Sequence, residues 1–598
     1  NIINWGKSNS IMRAVYLNVD YQSLMHSMKN KRTKLTLTII LWLAPLAFLA
    51  VFYFYPLGSI LQLSFARSEG GALAPFAEAL ASASVRRVLG FTLWQAALST
   101  LLTLMLGLPG AYLFARYDFR GKTLLRALTG VPFVMPTLVV AAGFNALLGS
   151  RGWVNAALMG IFDLSQPPIH FINTLGAILV AHVFYNTTIV LRMVGDFWSH
   201  LDPRLGKAAQ VLGANRVQLL REITLPLLSP VIAASALLVF IFDFTSFGVI
   251  LVLGGPQFAT LEVEIYYQTI SLFNLPLAAV LSIFQLGCTL LMTIIYTRLS
   301  ARLSRPLNLR SRQHTLLRLH SLRRRLFAGT IIALMLILLI SPLFALAARS
   351  VTSLGAIKTR PGSVAPGLTL AFYRQLGINP QESLFYVPPT TAMGISLSYA
   401  AATVVLSLLL GMPAAWALAR DRESRLNRIL DPMLMLPLGT SAVTLGLGFL
   451  VALSQPPLDL RASPLLVPIA HTLVAFPFVV RSLTPALQSI QPRLRQAAAV
   501  LGASPRQVIR HVDLPLIGRA LLVAATFAFT ISIGEFGATS LLARPEYPTV
   551  PVVIYRLLSR PGALNYGQAL ALSTILMIFA VAGMLAIERF RVADVGEF

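Results

Sequence analysis

The chain contains many long stretches without a single Asp, Glu, Lys or Arg, and these limit its fold more than any other feature. Runs 35–66, 88–115, 127–150, 164–191, 270–297, 326–348, 432–458 and 561–587 are charge-free. A hydrocarbon core of about 30 Å needs about 20 apolar residues in helix to cross it, and each run is long enough. The run 462–480 just qualifies, 223–261 and 520–543 qualify with one carboxylate inside, and the part of 383–419 from about 391 completes the set. Open strands are excluded, because lipid offers no partner for their free backbone groups. The expected fold is all-α: a polytopic membrane protein with twelve transmembrane helices. Only 12% of residues are charged and the mean hydropathy is +0.73, too little charge for a soluble surface of this size.

The formal net charge is +26. The basic residues lie between the apolar runs, where they face anionic membrane lipid, so no nucleic-acid partner is expected. They also favour one side. Arg116, Arg120, Lys122 and Arg126 follow the second run, Arg192, Arg204, Lys207, Arg216 and Arg221 the fourth, nine arginines between 298 and 325 the sixth, and Arg420, Arg422, Arg425 and Arg428 the eighth. By the positive-inside rule both termini are cytoplasmic. Residues 1–34 read as a polar N-terminal extension, with Met28 a plausible start, and the first run as an uncleaved helix. The single cysteine, Cys288, lies in a span and excludes an internal disulfide or a cysteine-based metal site.

The chain repeats itself. Leu201–Pro230 aligns without gaps on Ile490–Arg519 at an offset of 289 residues, with 14 of 30 pairs identical. The same offset pairs His182 with His471, Arg192 with Arg481, and Phe247-Gly248 with Phe536-Gly537. Nearer the start of each half, Gly107-Leu-Pro109 pairs with Gly411-Met-Pro413, so the first half carries about fifteen extra residues, expected near 150–170. Six spans is an even number, so the two halves run parallel. The divisions are an extension at 1–34, a first half at 35–298, a basic cytoplasmic linker at 299–325, a second half at 326–588 and a tail at 589–598.

The best-matched segment is an interhelical loop. A short helix is expected from about Pro203 to Leu212, closed by Gly213, with a second stretch ending at Leu225-Pro226; Pro492, Gly502 and Leu514-Pro515 repeat the pattern. Two copies with small residues suit a docking element better than a helix resting on lipid. The loop resembles that of ABC import permeases, whose consensus is E-A-A, three residues, G, nine residues, I, one residue, L-P. The first copy reads Lys207-Ala208-Ala209, Gly213, Ile223, Leu225-Pro226; the second reads Gln496-Ala497-Ala498, Gly502, Val512, Leu514-Pro515. The leading glutamate of the family is absent from both.

The resemblance extends over about 35–590 and implies the transmembrane subunit of a type I importer. It also implies two partner ABC ATPase subunits gripping these loops, an extracytoplasmic substrate-binding protein, and no cofactor bound by this chain. Permeases with both halves fused are most similar to the iron(III) and thiamine importers, as are the stretches around Gly254-Gly255-Pro256-Gln257 and Ser532–Gly537. An ion-gradient-driven secondary transporter is the alternative. Gly6-Lys7-Ser8 and Gly121-Lys122-Thr123 lack the leading glycine of a phosphate-binding loop, so the chain is not read as an enzyme.

Intramembrane ionisable groups are candidates for the substrate path. These are His182, Asp243, His471 and Glu535, the histidines reading first as packed or hydrogen-bonded. Tyr266, Tyr267 and Tyr555 read as interfacial anchors, with contact to a delivery protein the second reading.

Overall fold

A computed structural model describes residues 41–65, 71, 74–303, 317–319, 321–355, 357–358, 363–364, 366–378, 387–420, 424–454, 456 and 458–590. The N-terminal extension, most of the linker and nearly all of the tail lie outside the described residues. The first half consists of α1 (Leu41–Phe65), α2 (Ala83–Arg116), α3 (Lys122–Val134), α4 (Thr137–Leu148), α5 (Trp153–Phe162), α6 (Leu175–His200), α7 (Pro203–Val211), α8 (Leu219–Phe244), α9 (Gly248–Leu253), α10 (Leu261–Ile270) and α11 (Leu275–Leu303). The second consists of α12 (Leu322–Ser350), α13 (Pro389–Arg420), α14 (Arg425–Met435), α15 (Ala442–Ala452), α16 (Leu466–Ser489), α17 (Pro492–Val500), α18 (Arg506–Gly534), α19 (Gly537–Leu542), α20 (Val550–Leu558) and α21 (Ala563–Phe590). The short helices Ala74–Ala81 and Ala371–Arg374 also precede α2 and α13; among the labelled helices only α5 lacks a counterpart, and it falls where the extra residues were expected.

Ten of the twelve expected spans are helices long and apolar enough to cross a bilayer. The third and ninth are not single helices. The segment containing α3 turns by 110° into α4, and that containing α14 by 96° into α15. Proline disfavours helix in the residue before it, and Met135, before Pro136, is extended at φ −69°, ψ 132°. In the second half Thr440 and Ser441 are extended, and the Ser441 hydroxyl accepts the Val443 and Thr444 N–H groups to start α15.

Three spans share another local rule. Pro56, Pro226 and Pro515 each lack the N–H that would bond four residues back. Immediately before each, the chain makes an i→i+5 bond instead: Tyr55 N–H to Ala50 O, Leu225 N–H to Leu220 O, and Leu514 N–H to Ile509 O. The Leu-Pro ending of each repeated loop is therefore where a wide turn is absorbed into a span.

Within each half, α6 lies along α2 and α16 along α13. The approach is close: a Cβ on Gly107 would stand 2.7 Å from Val190 Cβ, and one on the matched Gly411 2.6 Å from Val479 Cγ1. Between halves, the first helices change sides. On α1, Trp42 Nε1 donates to Asn427 Oδ1 at 3.2 Å, the Tyr53 hydroxyl meets Thr440 Oγ1 at 2.7 Å, and Pro56 packs on Gly448. Reciprocally, α12 packs on α4, where a Cβ on Gly143 would stand 2.9 Å from the Pro342 carbonyl oxygen. Each half thus holds the other's first span.

Candidate functional site

The repeated loops form two similar protrusions at one end of the bundle. In the first, Asp202 Oδ1 accepts the Arg204 N–H at 2.9 Å and Pro203 begins α7. The helix closes on Gly213 at φ 89°, with Ala214 N–H to Ala209 O at 3.0 Å and Gly213 N–H to Gln210 O at 3.0 Å. Asn215 caps the next turn by accepting from Val217 and Gln218, and Gln218 Oε1 accepts the Asn215 N–H in return. The second copy has Gly502 at φ 82°, Ala503 N–H to Ala498 O at 3.0 Å, and Ser504 and Gln507 in place of the reciprocal pair. An added ion pair, Arg495 Nε to Asp513 Oδ1 at 2.8 Å, ties α17 to α18.

A Cβ on Gly213 or Gly502 meets nothing within 4 Å, so both glycines are required by backbone conformation, not by crowding inside the chain. Lys207, Ala208, Gln496 and Ala497 are exposed on the short helices, Ala498 is half-buried and Ala209 is buried. Leu225-Pro226 and Leu514-Pro515 lie at the loop bases and shape the spans. The tips carry residues that the sequence reading did not single out. Val211 and Leu212 are both 87% exposed, and the matched Val500 and Leu501 are 88% and 87% exposed. Their signal was present, because a Val-Leu pair stands directly before each glycine at the 289-residue offset.

The intramembrane candidates collect in two clusters. His182 Nδ1 lies 2.9 Å from Ser99 Oγ and 3.3 Å from Asp243 Oδ1, and its Nε2 lies 2.9 Å from Ser246 Oγ. Asn186 Nδ2 donates to Asp243 Oδ1 at 2.6 Å, while Asp243 Oδ2 is buried with no hydrogen-bond partner. His471 Nδ1 lies 2.8 Å from Ser532 Oγ, and its Nε2 lies 2.7 Å from Thr539 Oγ1 and 3.2 Å from Glu535 Oε2. Glu535 is fully engaged: Oε1 accepts the Ala538 N–H, and Oε2 accepts the Thr539 N–H and hydroxyl.

At the 289-residue offset, Asp243 aligns with Ser532 and Ser246 with Glu535. Acid and hydroxyl have exchanged places around a matched histidine.

Both clusters border a cavity of about 410 Å³ between the halves. Away from the loops it is bounded by the matched Phe247 and Phe536, stacked at 5.5 Å and 20°. Tyr266 packs on Phe247 at 5.4 Å and Tyr555 on Phe536 at 5.5 Å. The interfacial-anchor reading fails for these two tyrosines, because α10 and α20 fold back against the bundle and turn them onto this plug; the Tyr267 ring lies 5.9 Å from that of Tyr266, tilted at 57°. Toward the loops, Phe133, Phe242, Phe478 and Phe527 line both this cavity and a vestibule of about 700 Å³, forming the neck between them. Arg192, Arg481 and Arg519 face the vestibule, where Arg192 pairs with Glu588 at 2.9 Å. The space is therefore blocked at the aromatic plug and widens on the loop side.

Two tandem sequence matches decide the assignment: residues 104–305 and 407–592 each match the family described as "Binding-protein-dependent transport system inner membrane component". The chain belongs to this family. The permease is 30% identical over 507 residues to the thiamine transport system permease protein ThiP of Brucella abortus (strain 2308), covering 84% of this chain and 87% of that one. It is 27% identical to ThiP of Escherichia coli (strain K12), covering 78% and 83%. It is 28% identical to a probable ABC transporter permease protein, y4fN, of Sinorhizobium fredii, covering 94% and 97%. Among solved structures, a bacterial ABC transporter involved in alginate import aligns with 49% of the permease at 19% identity and a TM-score of 0.37. Membership in the importer family replaces the ion-gradient alternative. The permease is a multi-pass transport subunit of an ABC importer, with a fused two-half architecture.

Proposed function

We propose that this permease carries thiamine, or an organic cation much like it, through the cavity between its halves. Separate ATPase subunits docked on α7 and α17 would drive it. The observation that carries the cargo reading is the free Asp243 Oδ2 at a cavity lined by aromatic rings. A buried carboxylate oxygen without a partner is costly and favours an incoming cation. Aromatic faces add attraction for a ring-bearing cation. Several relatives are thiamine permeases by name, which supports the same cargo. Iron(III), the other cargo implied by the fused form, is less well served. A trivalent ion needs several hard oxygen donors. Of the carboxylates at the cavity, Glu535 is held by three donors and Glu262 by Ser441 and Gln285.

The docking reading rests on the exposed Val-Leu tips, duplicated on rigidly capped helices. Apolar side chains so exposed suit burial in a partner's cleft. The excess of basic residues on the loop side supports a cytoplasmic position for these tips, with a substrate-binding protein delivering cargo at the plug on the opposite face. Closure of the ATPases on ATP would move the halves as rigid bodies, part the Phe247–Phe536 stack and narrow the vestibule.

The test is uptake of labelled thiamine into proteoliposomes holding the permease together with the ATPase and binding protein that assemble with it. Accumulation that requires internal ATP is expected. Uptake driven by a proton gradient with no ATPase present would sink the coupling scheme, and uptake of ferric complexes in place of thiamine would sink the cargo.

A further inference from the structure

A second cavity, of about 500 Å³, lies at the end of the molecule away from the loops. It opens between the loop joining α4 to α5, the last turn of α12 and the first turn of α21. Two cationic side chains and a phenol border it: Arg151, Arg349 and Tyr566. No carboxylate is among the described residues that line it, and neither arginine has an ion-pair partner among the described residues.

Arg349 is the informative group. It is only 6% exposed, yet its Nε has no hydrogen-bond partner. Its Nη1 is held by the Thr352 carbonyl oxygen at 3.0 Å, which fixes the guanidinium in place. The Tyr566 hydroxyl is also buried without a partner. Arg151 is exposed on a loop pinned by Asn155, which donates to the Gly149 and Ile169 carbonyl oxygens and accepts the Ile169 N–H. A buried, immobilised guanidinium edge, an unsatisfied phenol and a second guanidinium form a preorganised receptor for an oxyanion.

The depth of the cavity points to the source of that anion. Trp153 meets Phe344 edge-on at 5.6 Å, and Phe344 is 59% exposed on α12. Tryptophan is enriched where hydrocarbon meets headgroups. Arg349 follows Phe344 by five residues at the end of α12, and Met159, Phe372 and Leu570 give the cavity an apolar wall.

We propose that this cavity binds a phosphate-type oxyanion, supplied by an anionic phospholipid headgroup, with Arg349, Arg151 and Tyr566 as its ligands. It is separate from the inter-half cavity and does not depend on what the permease transports.

The experiment uses the full-length permease in neutral detergent, with dioleoyl phosphatidylglycerol and inorganic phosphate as separate probes. Binding is read by native mass spectrometry and by the shift in unfolding temperature. Saturable binding of the lipid, weakened at least about tenfold by Arg151→Gln and by Tyr566→Phe, is the expected result for loss of one such hydrogen bond. Saturable protection by millimolar inorganic phosphate, weakened by the same variants, would retain the site and assign it to the free anion. Arg349→Gln should abolish both effects. Should that variant not fold, Arg151→Gln and Tyr566→Phe decide the matter, since the first changes an exposed loop side chain and the second removes a single oxygen. Lipid binding unchanged in both, or no saturable binding of either probe, would overturn the proposal.

Discussion

The two halves give a matched histidine opposite company. Next to His182 the acid is at 243 and the hydroxyl at 246, whereas next to His471 the hydroxyl is at 532 and the acid at 535. Three residues is most of a helical turn. That displacement changes what the carboxylate does. Glu535 lies past the end of α18, where the first N–H groups of α19 consume both its oxygens. Asp243 is still within α8, where no free N–H group is near, and one oxygen stays open. Duplication thus preserved a hydrogen-bonded histidine in both walls while leaving an unpartnered carboxylate oxygen in only one.

The loops bound this contrast from the other side, because they remain alike in the two halves. Leu212→Asp combined with Leu501→Asp places a charge in both loop tips. It should weaken ATPase association by more than about 100-fold and abolish ATP-dependent uptake, as read by co-purification and transport. Each single variant should retain part of both, and a single variant as severe as the double would show that the two loops are not equivalent.

Asp243→Asn should lower thiamine uptake by about tenfold or more with little loss of thermal stability, because the amide oxygen can still accept from Asn186. The exchange variant Asp243→Ser with Ser246→Glu rebuilds the second half's pattern in the first. It should fold and should transport as poorly as Asp243→Asn; normal uptake would show that the open oxygen is not used. Glu535→Gln should act differently, costing about 1–3 kcal/mol of stability through its three donors, measured by thermal unfolding. The smallest effect belongs to Gly213→Ala and Gly502→Ala, each about 1–2 kcal/mol from left-handed backbone strain. Because neither site is crowded, equal losses in the two halves are the expected outcome.

Much of this molecule could be read from its letters. Lipid demands long uncharged helices, so the spans stood out, and the ungapped loop repeat gave both the duplication and the two short loop helices. The bends before Thr137 and Ala442 could not be read, because a hydropathy run records length but not direction. Tyr266 and Tyr555 misled for a related reason: a residue just past a span can turn back into the bundle. The exchange of acid and hydroxyl was written in the alignment, but only the contacts of His182 and His471 reveal that the aligned positions face one ring. The aromatic neck left no repeat signal at all. Phe242 aligns with Ile531, and Phe478 with Ile189, so its rings come from unmatched positions that meet only across the interface.

The reciprocal clasp of α1 and α12 has a consequence for how such a pair is assembled. Because each half already grips the other's opening helix, a nick between them should leave two polypeptides still associated. Covalent continuity is therefore not what provides cohesion; it fixes stoichiometry. Unlinked halves could pair like with like, yielding pores with two open carboxylates or none. A single reading frame admits only the unlike pairing, and so guarantees one such carboxylate in every channel made.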